Sequence, residues 1–74
     1  MNPLTKIRMT NNLSRSEFSL KTQLAYGTVS SIEQGNPLQL SHDVASVIAK
    51  AFDVSEEDLI MKYSKWRASY RMPL

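Results

Sequence analysis

Few side chains in this chain could act as acids, bases or ligands. There is no cysteine and a single histidine, His42. That excludes a disulfide framework and a cysteine-bound metal, and leaves little for a histidine cluster. No pattern pairs a nucleophile with a base, and no glycine-rich loop is present to cradle a phosphate. The densest acidic run, Glu56-Glu57-Asp58, follows Ser55. It reads as charge at a helix start rather than as acid–base machinery. His42 reads as a surface or packing residue rather than a ligand or catalyst. These residues predict a binding protein rather than an enzyme, with no cofactor and no metal.

What remains is charge and aromatic surface. The net charge is only +2, but it is unevenly spread over the 74 residues. Residues 1–40 hold Lys6, Arg8, Arg15 and Lys21 against Glu17 and Glu33. Residues 41–60 hold Lys50 against Asp43, Asp53, Glu56, Glu57 and Asp58, and residues 61–74 hold Lys62, Lys65, Arg67 and Arg71 with no acid. An acidic segment thus lies between two basic ones. Such asymmetry can orient a protein on DNA or on a partner. No apolar run approaches the length of a membrane span, and the N-terminus lacks a signal-peptide hydrophobic region. The expectation is a cytoplasmic protein with no membrane partner.

Short helices must position these groups. Asn2-Pro3 suits a helix start, with Leu4 and Ile7 at helical spacing and an end near Asn11-Asn12. Lys6 and Arg8 read as a solvated face, with Arg8 able to lie over the core; phosphate contact is the alternative. Ser14 and Glu17 form a capping box for a second helix over 15–21. A third runs over 26–34, with Val29 and Ile32 inward, and Gly35-Asn36-Pro37 ends it. Leu38 and Leu40 are expected to plug the core. Ser41 caps a fourth helix over 42–52, with Ala45, Ile48 and Phe52 inward, joined by Val44 or Val47. Ser55 and Asp58 read as a second capping box. The last helix starts near Glu56 and extends to about Tyr70, before Pro73. Its stripe of Leu59, Tyr63, Trp66 and Tyr70 is amphipathic. That stripe either packs on the protein's own core, forms a homodimer interface, or serves a partner or nucleic-acid surface.

The stretch Leu13 to Gly35, LSRSEFSLKTQLAYGTVSSIEQG, resembles the helix-turn-helix of the lambda-repressor/Cro-like family, also called the xenobiotic-response-element type. The matching residues are Leu13, Ser14, Glu17-Phe18-Ser19, Leu24, Val29, Ser30, Ile32, Glu33 and Gly35, followed by Ile48 to Ser55. The likeness covers roughly Leu4 to Ile60. It implies an all-α, compact five-helix bundle with helices 2 and 3 as the helix-turn-helix. Residues 1–60 would be that domain, and 61–74 a helical extension for packing or dimerisation. Two departures stand in the turn. Gln23 replaces a usual glycine and Thr22 a usual larger aliphatic residue. Ser19 stands where alanine is preferred, and Asp53 where glycine is.

The resemblance also implies a partner, double-stranded DNA, with the third helix in the major groove. Carried over position by position, Tyr26, Gly27 and Ser31 face base edges. Arg15, Lys21, Thr28, Gln34 and Asn36 fall near the phosphates, with Gln39 on the same loop. For Arg15 an ordinary surface charge is the alternative, for Tyr26 a capping or packing aromatic, and for Asn36 and Gln39 a plain solvent loop. None of the leading base-facing residues is the Arg, Lys, Asn or Gln of bidentate base reading. Glu33 would be repelled by DNA unless turned away. Two functions fit. One is a sequence-specific transcriptional regulator, a small phage or mobile-element repressor acting as a homodimer. The other is a modulator or antirepressor that uses the same fold to bind another regulator protein, with Tyr63, Trp66 and Tyr70 as the self or partner surface.

Overall fold

Five helices account for the regular structure of the computed structural model, which describes residues 1–36 and 40–69. They are α1 (Pro3–Thr10), α2 (Arg15–Thr22), α3 (Tyr26–Glu33), α4 (His42–Phe52) and α5 (Glu56–Ser69). The expectations for Leu38, Gln39, Tyr70 and Pro73 lie outside the described residues.

Local chemistry sets most of the helix ends. Asn2 caps α1, its side-chain oxygen accepting from the Leu4 N–H at 2.9 Å. Pro3 then occupies the first helical position, where its missing N–H costs nothing. The Ser14–Glu17 capping box opens α2, with both reciprocal bonds formed. Those bonds to Ser14 hold the Glu17 carboxyl below its ordinary pKa. Ser41 and Ser55 accept from the N–H groups of Val44 and Asp58 at the starts of α4 and α5. The Asp58 carboxylate itself lies 3.3 Å from Lys62 Nζ, one turn further along.

The unusual turn residues adopt the backbone the resemblance demands of glycine. Gln23 is left-handed at φ 59°, ψ 26°, and Asp53 at φ 54°, ψ 49°. A side chain in that region carries strain that glycine avoids. Thr22 is buried, and its hydroxyl repairs the turn. It donates to the Phe18 carbonyl at 2.8 Å and accepts from the Leu24 N–H at 3.4 Å. The Ser19 hydroxyl donates to the Leu24 carbonyl across the same turn. Two hydroxyls therefore do locally what a larger aliphatic residue would do by packing.

The core gathers one or two residues from each helix. Leu4, Phe18, Val29, Ile32, Ala45, Ile48, Leu59 and Tyr63 form one buried cluster. Leu13, Leu24, Leu40 and Val44 pack on its edge, whereas Val47 faces solvent. Phe18 and Phe52 stack at 5.0 Å between centroids, joining α2 to α4. A pair of this kind adds about 0.5–1.5 kcal/mol beyond its area burial. Helix α5 runs unbroken from Glu56 to Ser69 and contributes Leu59 and Tyr63 to this core.

Candidate nucleic-acid interface

The start of α3 is thinly held. Ala25 occupies the N-cap, and no side chain accepts from the first-turn N–H groups. Those donors point along the helix axis, where an anion is favoured. Tyr26 stands just inside, 52% exposed. Gly27 follows on the exposed side, and a Cβ added there would meet nothing within 4 Å. Glycine inside a helix costs up to about 1 kcal/mol against alanine. The fold gives no packing reason for it.

The end of α3 is held by other helices. The Glu33 side chain is only 1% exposed. Arg8 of α1 donates to both of its oxygens, from Nε at 3.1 and 3.2 Å, and Arg15 Nε of α2 lies 3.3 Å from Oε2. The Thr5 hydroxyl donates to Oε1 at 2.7 Å. Two carbonyls of the same turn are also claimed. Asn2 Nδ2 donates to Ile32 O at 2.9 Å and Glu33 O at 3.2 Å. The Tyr63 hydroxyl donates to Ile32 O at 3.0 Å. Burial raises the Tyr63 pKa, with nearby Arg67 opposing the shift.

This arrangement corrects the expectation for Arg8. It is neither a solvated charge nor a free phosphate ligand. Its guanidinium pairs with Glu33, and Nη1 donates to the Leu13 carbonyl at 2.9 Å. Glu33 is indeed turned away from the outer face of α3. Its charge is met by two cations, which leaves a net positive charge in the cluster.

The other candidate residues are placed as follows. Arg15 keeps its side chain 35% exposed while bridging to Glu33, and Nη1 donates to Ser30 Oγ at 3.3 Å. Gln34 Nε2 donates to the same hydroxyl at 3.1 Å. Ser30 is thus a bracket between α2 and the end of α3 rather than a free outward group. Ser31 and Thr28 are half-buried; Gln34 and Asn36 are exposed. The Asn36 N–H donates to the Ser31 carbonyl at 3.0 Å, next to Gly35 at φ 96°, a conformation that suits glycine. Lys21 Nζ lies 5.5 Å over the Phe52 ring, a cation–π contact. His42 Nδ1 sits 3.3 Å from Glu56 Oε1, a surface pairing between α4 and α5.

Of the aromatic stripe on α5, Tyr63 is 3% exposed and belongs to the core. Burial of its ring and the bond to Ile32 remove it from any self or partner surface. Trp66 is half-buried, 5.6 Å from the Tyr63 ring, and packs on the core edge. Tyr70 lies outside the described residues.

The groups that sequence reasoning missed are Asn2, Thr5, Arg8 and Tyr63 as a collar on the end of α3. Each belongs to a different helix from its target. Only the apolar spacing that puts Tyr63 on one stripe with Leu59 was a signal.

The sequence profile of the Cro/C1-type HTH DNA-binding domain matches residues 3–63. The chain belongs to this family. No curated protein and no solved structure matches it. As a Cro/C1-type domain it is a DNA-binding transcriptional regulator, and the family implies a regulator rather than an enzyme. The matched span runs past residue 60 into α5. Among the described residues, no helix is long and apolar enough to cross a membrane, and no group of three His, Asp or Glu could hold a metal.

Proposed function

We propose that this Cro/C1-type protein is a small repressor, of the phage or mobile-element kind, that binds its operator as a homodimer. Each α3 enters a major groove, and two copies lie about 34 Å apart on one face of the duplex. Bound there, the dimer occludes a promoter. The observation that carries this reading is the inward Glu33. With it buried, the start of α3 presents Tyr26, Gly27 and uncapped N–H groups, and no anion, to the phosphates.

In this reading Tyr26 and Gly27 lie against base edges, with Ser31 a turn further along. Arg15, Lys21, Thr28, Gln34 and Asn36 contact backbone. Arg15 reaches phosphate while Glu33 fixes its inner edge. Bidentate base contacts are few, so sequence preference rests largely on DNA shape. The dimer forms through the side of α5 that carries Trp66.

Selection of binding sites from random duplex DNA, followed by salt titration of the winner, tests this. The expected site is palindromic, with half-sites about ten base pairs apart and affinity that falls steeply with salt. A binding isotherm that is flat between low and physiological salt overturns it. Enrichment of no site, with the chain folded by circular dichroism, favours the second reading, a modulator that binds another regulator. The neutral outer face of α3 supports that alternative. Its Gln34 amide is already bonded to Ser30.

A further inference from the structure

A groove of about 520 Å³ lies between α1 and α5, and no residue of α3 lines it. Its size falls within the range of small-molecule sites. The two helices run antiparallel along it. Asn2 and Tyr63 both donate to the Ile32 carbonyl, which puts the start of α1 beside the middle of α5. The turn from Phe52 to Ser55 therefore lies at one end, and Met1 and Lys65 at the other. Along α5, Ser55 and Lys65 are separated by about 15 Å at about 1.5 Å per residue.

The lining combines two chemistries. Ile7, Phe52, Val54 and Leu59 supply apolar lining toward the turn, beside Thr10, Asn11, Ser55 and Asp58, and Val54 remains 38% exposed there. Lys6, Lys62 and Lys65 also line the groove. Lys62 is paired with Asp58 at 3.3 Å. Among the described residues Lys6 and Lys65 have no ion-pair partner. Apolar side chains beside unneutralised ammonium groups complement a molecule with an alkyl body and one anionic head.

We infer that this groove is a binding site for a small amphipathic anion, a straight-chain carboxylate of medium length. Its head sits between Lys6 and Lys65, and its chain lies along Ile7 and Leu59 toward Val54. Three lysines in the lining against the single acid Asp58 favour an anionic occupant. The site is separate from the start of α3, so it stands whether or not the operator reading holds.

Decanoate is the probe, titrated below its micelle concentration into the isotopically labelled full chain and followed by amide NMR. The expected result is saturable shifts confined to residues 6–11, 52–55 and 58–65, with decanol of the same chain length binding more weakly. Lys6→Gln with Lys65→Gln should weaken decanoate binding roughly five- to tenfold and leave decanol unchanged. Both lysines are exposed, so the fold should persist. Val54→Glu places a carboxylate in the apolar lining and should abolish binding while circular dichroism stays unchanged. Absence of saturable shifts, whether because another chain segment covers the groove or because it is empty solvent space, overturns the inference. So does binding that is indifferent to the two lysines.

Discussion

The two ends of α3 are built in opposite ways. At its start there is no capping side chain, an exposed tyrosine, and a glycine facing open space. At its end a buried carboxylate and two carbonyls collect donors from Asn2, Thr5, Arg8, Arg15 and Tyr63. Stability is concentrated where the helix meets its own protein. The other end is left with few structural duties, and residues there are free to be chosen for contact with something outside. Substitutions at the end of α3 should therefore act on folding, and those at its start on binding.

Glu33→Ala should break this pattern most severely. It strips two arginines of their shared partner in a largely buried site, which costs about 3–5 kcal/mol. In a domain of this size that is most of the stability, and urea denaturation should show little or no folded baseline. Tyr26→Ala is the counterpart at the other end. It should leave the urea midpoint nearly unmoved and weaken operator binding roughly tenfold, about 1.4 kcal/mol. If it instead unfolds the chain, the division between the ends fails.

Tyr63→Phe removes one of the two donors to Ile32 O, while Asn2 remains. A loss of about 1 kcal/mol is expected in thermal or urea denaturation. It carries a pH signature. The Tyr63 pKa is raised in the folded state, chiefly by burial, so its contribution is fully present below the unfolded value of 10.0 and is lost as pH rises through the folded value. The variant should lack that alkaline loss.

Gly27→Ala sharpens the comparison by moving two readouts in opposite directions. Helix propensity should raise stability by up to about 1 kcal/mol, since the new methyl meets nothing. DNA binding should fall if the backbone approaches the groove closely. The smallest effect belongs to Glu17. Its folded pKa is lowered by the bonds to Ser14, so its contribution is present above the unfolded value near 4.5 and is lost as pH falls through the folded value. Ser14→Ala should flatten that part of an acid denaturation profile.

Helix limits were legible in the sequence because caps are local. Asn2, Ser14, Ser41 and Ser55 each accept from an N–H two or three residues on, and one stretch of chain contains the whole interaction. Spacing put Tyr63 on one stripe with Leu59, but left open whether that stripe faced the core or a partner and gave no sign of its hydrogen bond to α3. Arg8 was misread because its partner lies 25 residues away. Nothing in a helical repeat distinguishes an arginine that points to solvent from one that meets a carboxylate on a crossing helix. That depends on the crossing geometry, which the core packing of Leu4, Ile32 and Tyr63 decides. The candidate interface was legible only as a set of positions. The absence of a packing partner at Gly27 and the engagement of Ser30 required coordinates.

The Ile32 carbonyl lies near the middle of the chain, and its two side-chain donors come from positions 30 residues before and 31 after it. During synthesis the first donor is available early, but the second arrives only when α5 has emerged. A nascent chain that has completed α1 to α3 has the bonds from Asn2, Thr5, Arg8 and Arg15 to the end of α3 but lacks the one from Tyr63 and the packing of α4 and α5. Ribosome-bound intermediates should accordingly show α3 amides that exchange with solvent until Tyr63 has left the tunnel. Secure placement of that helix is one of the last events in making the molecule.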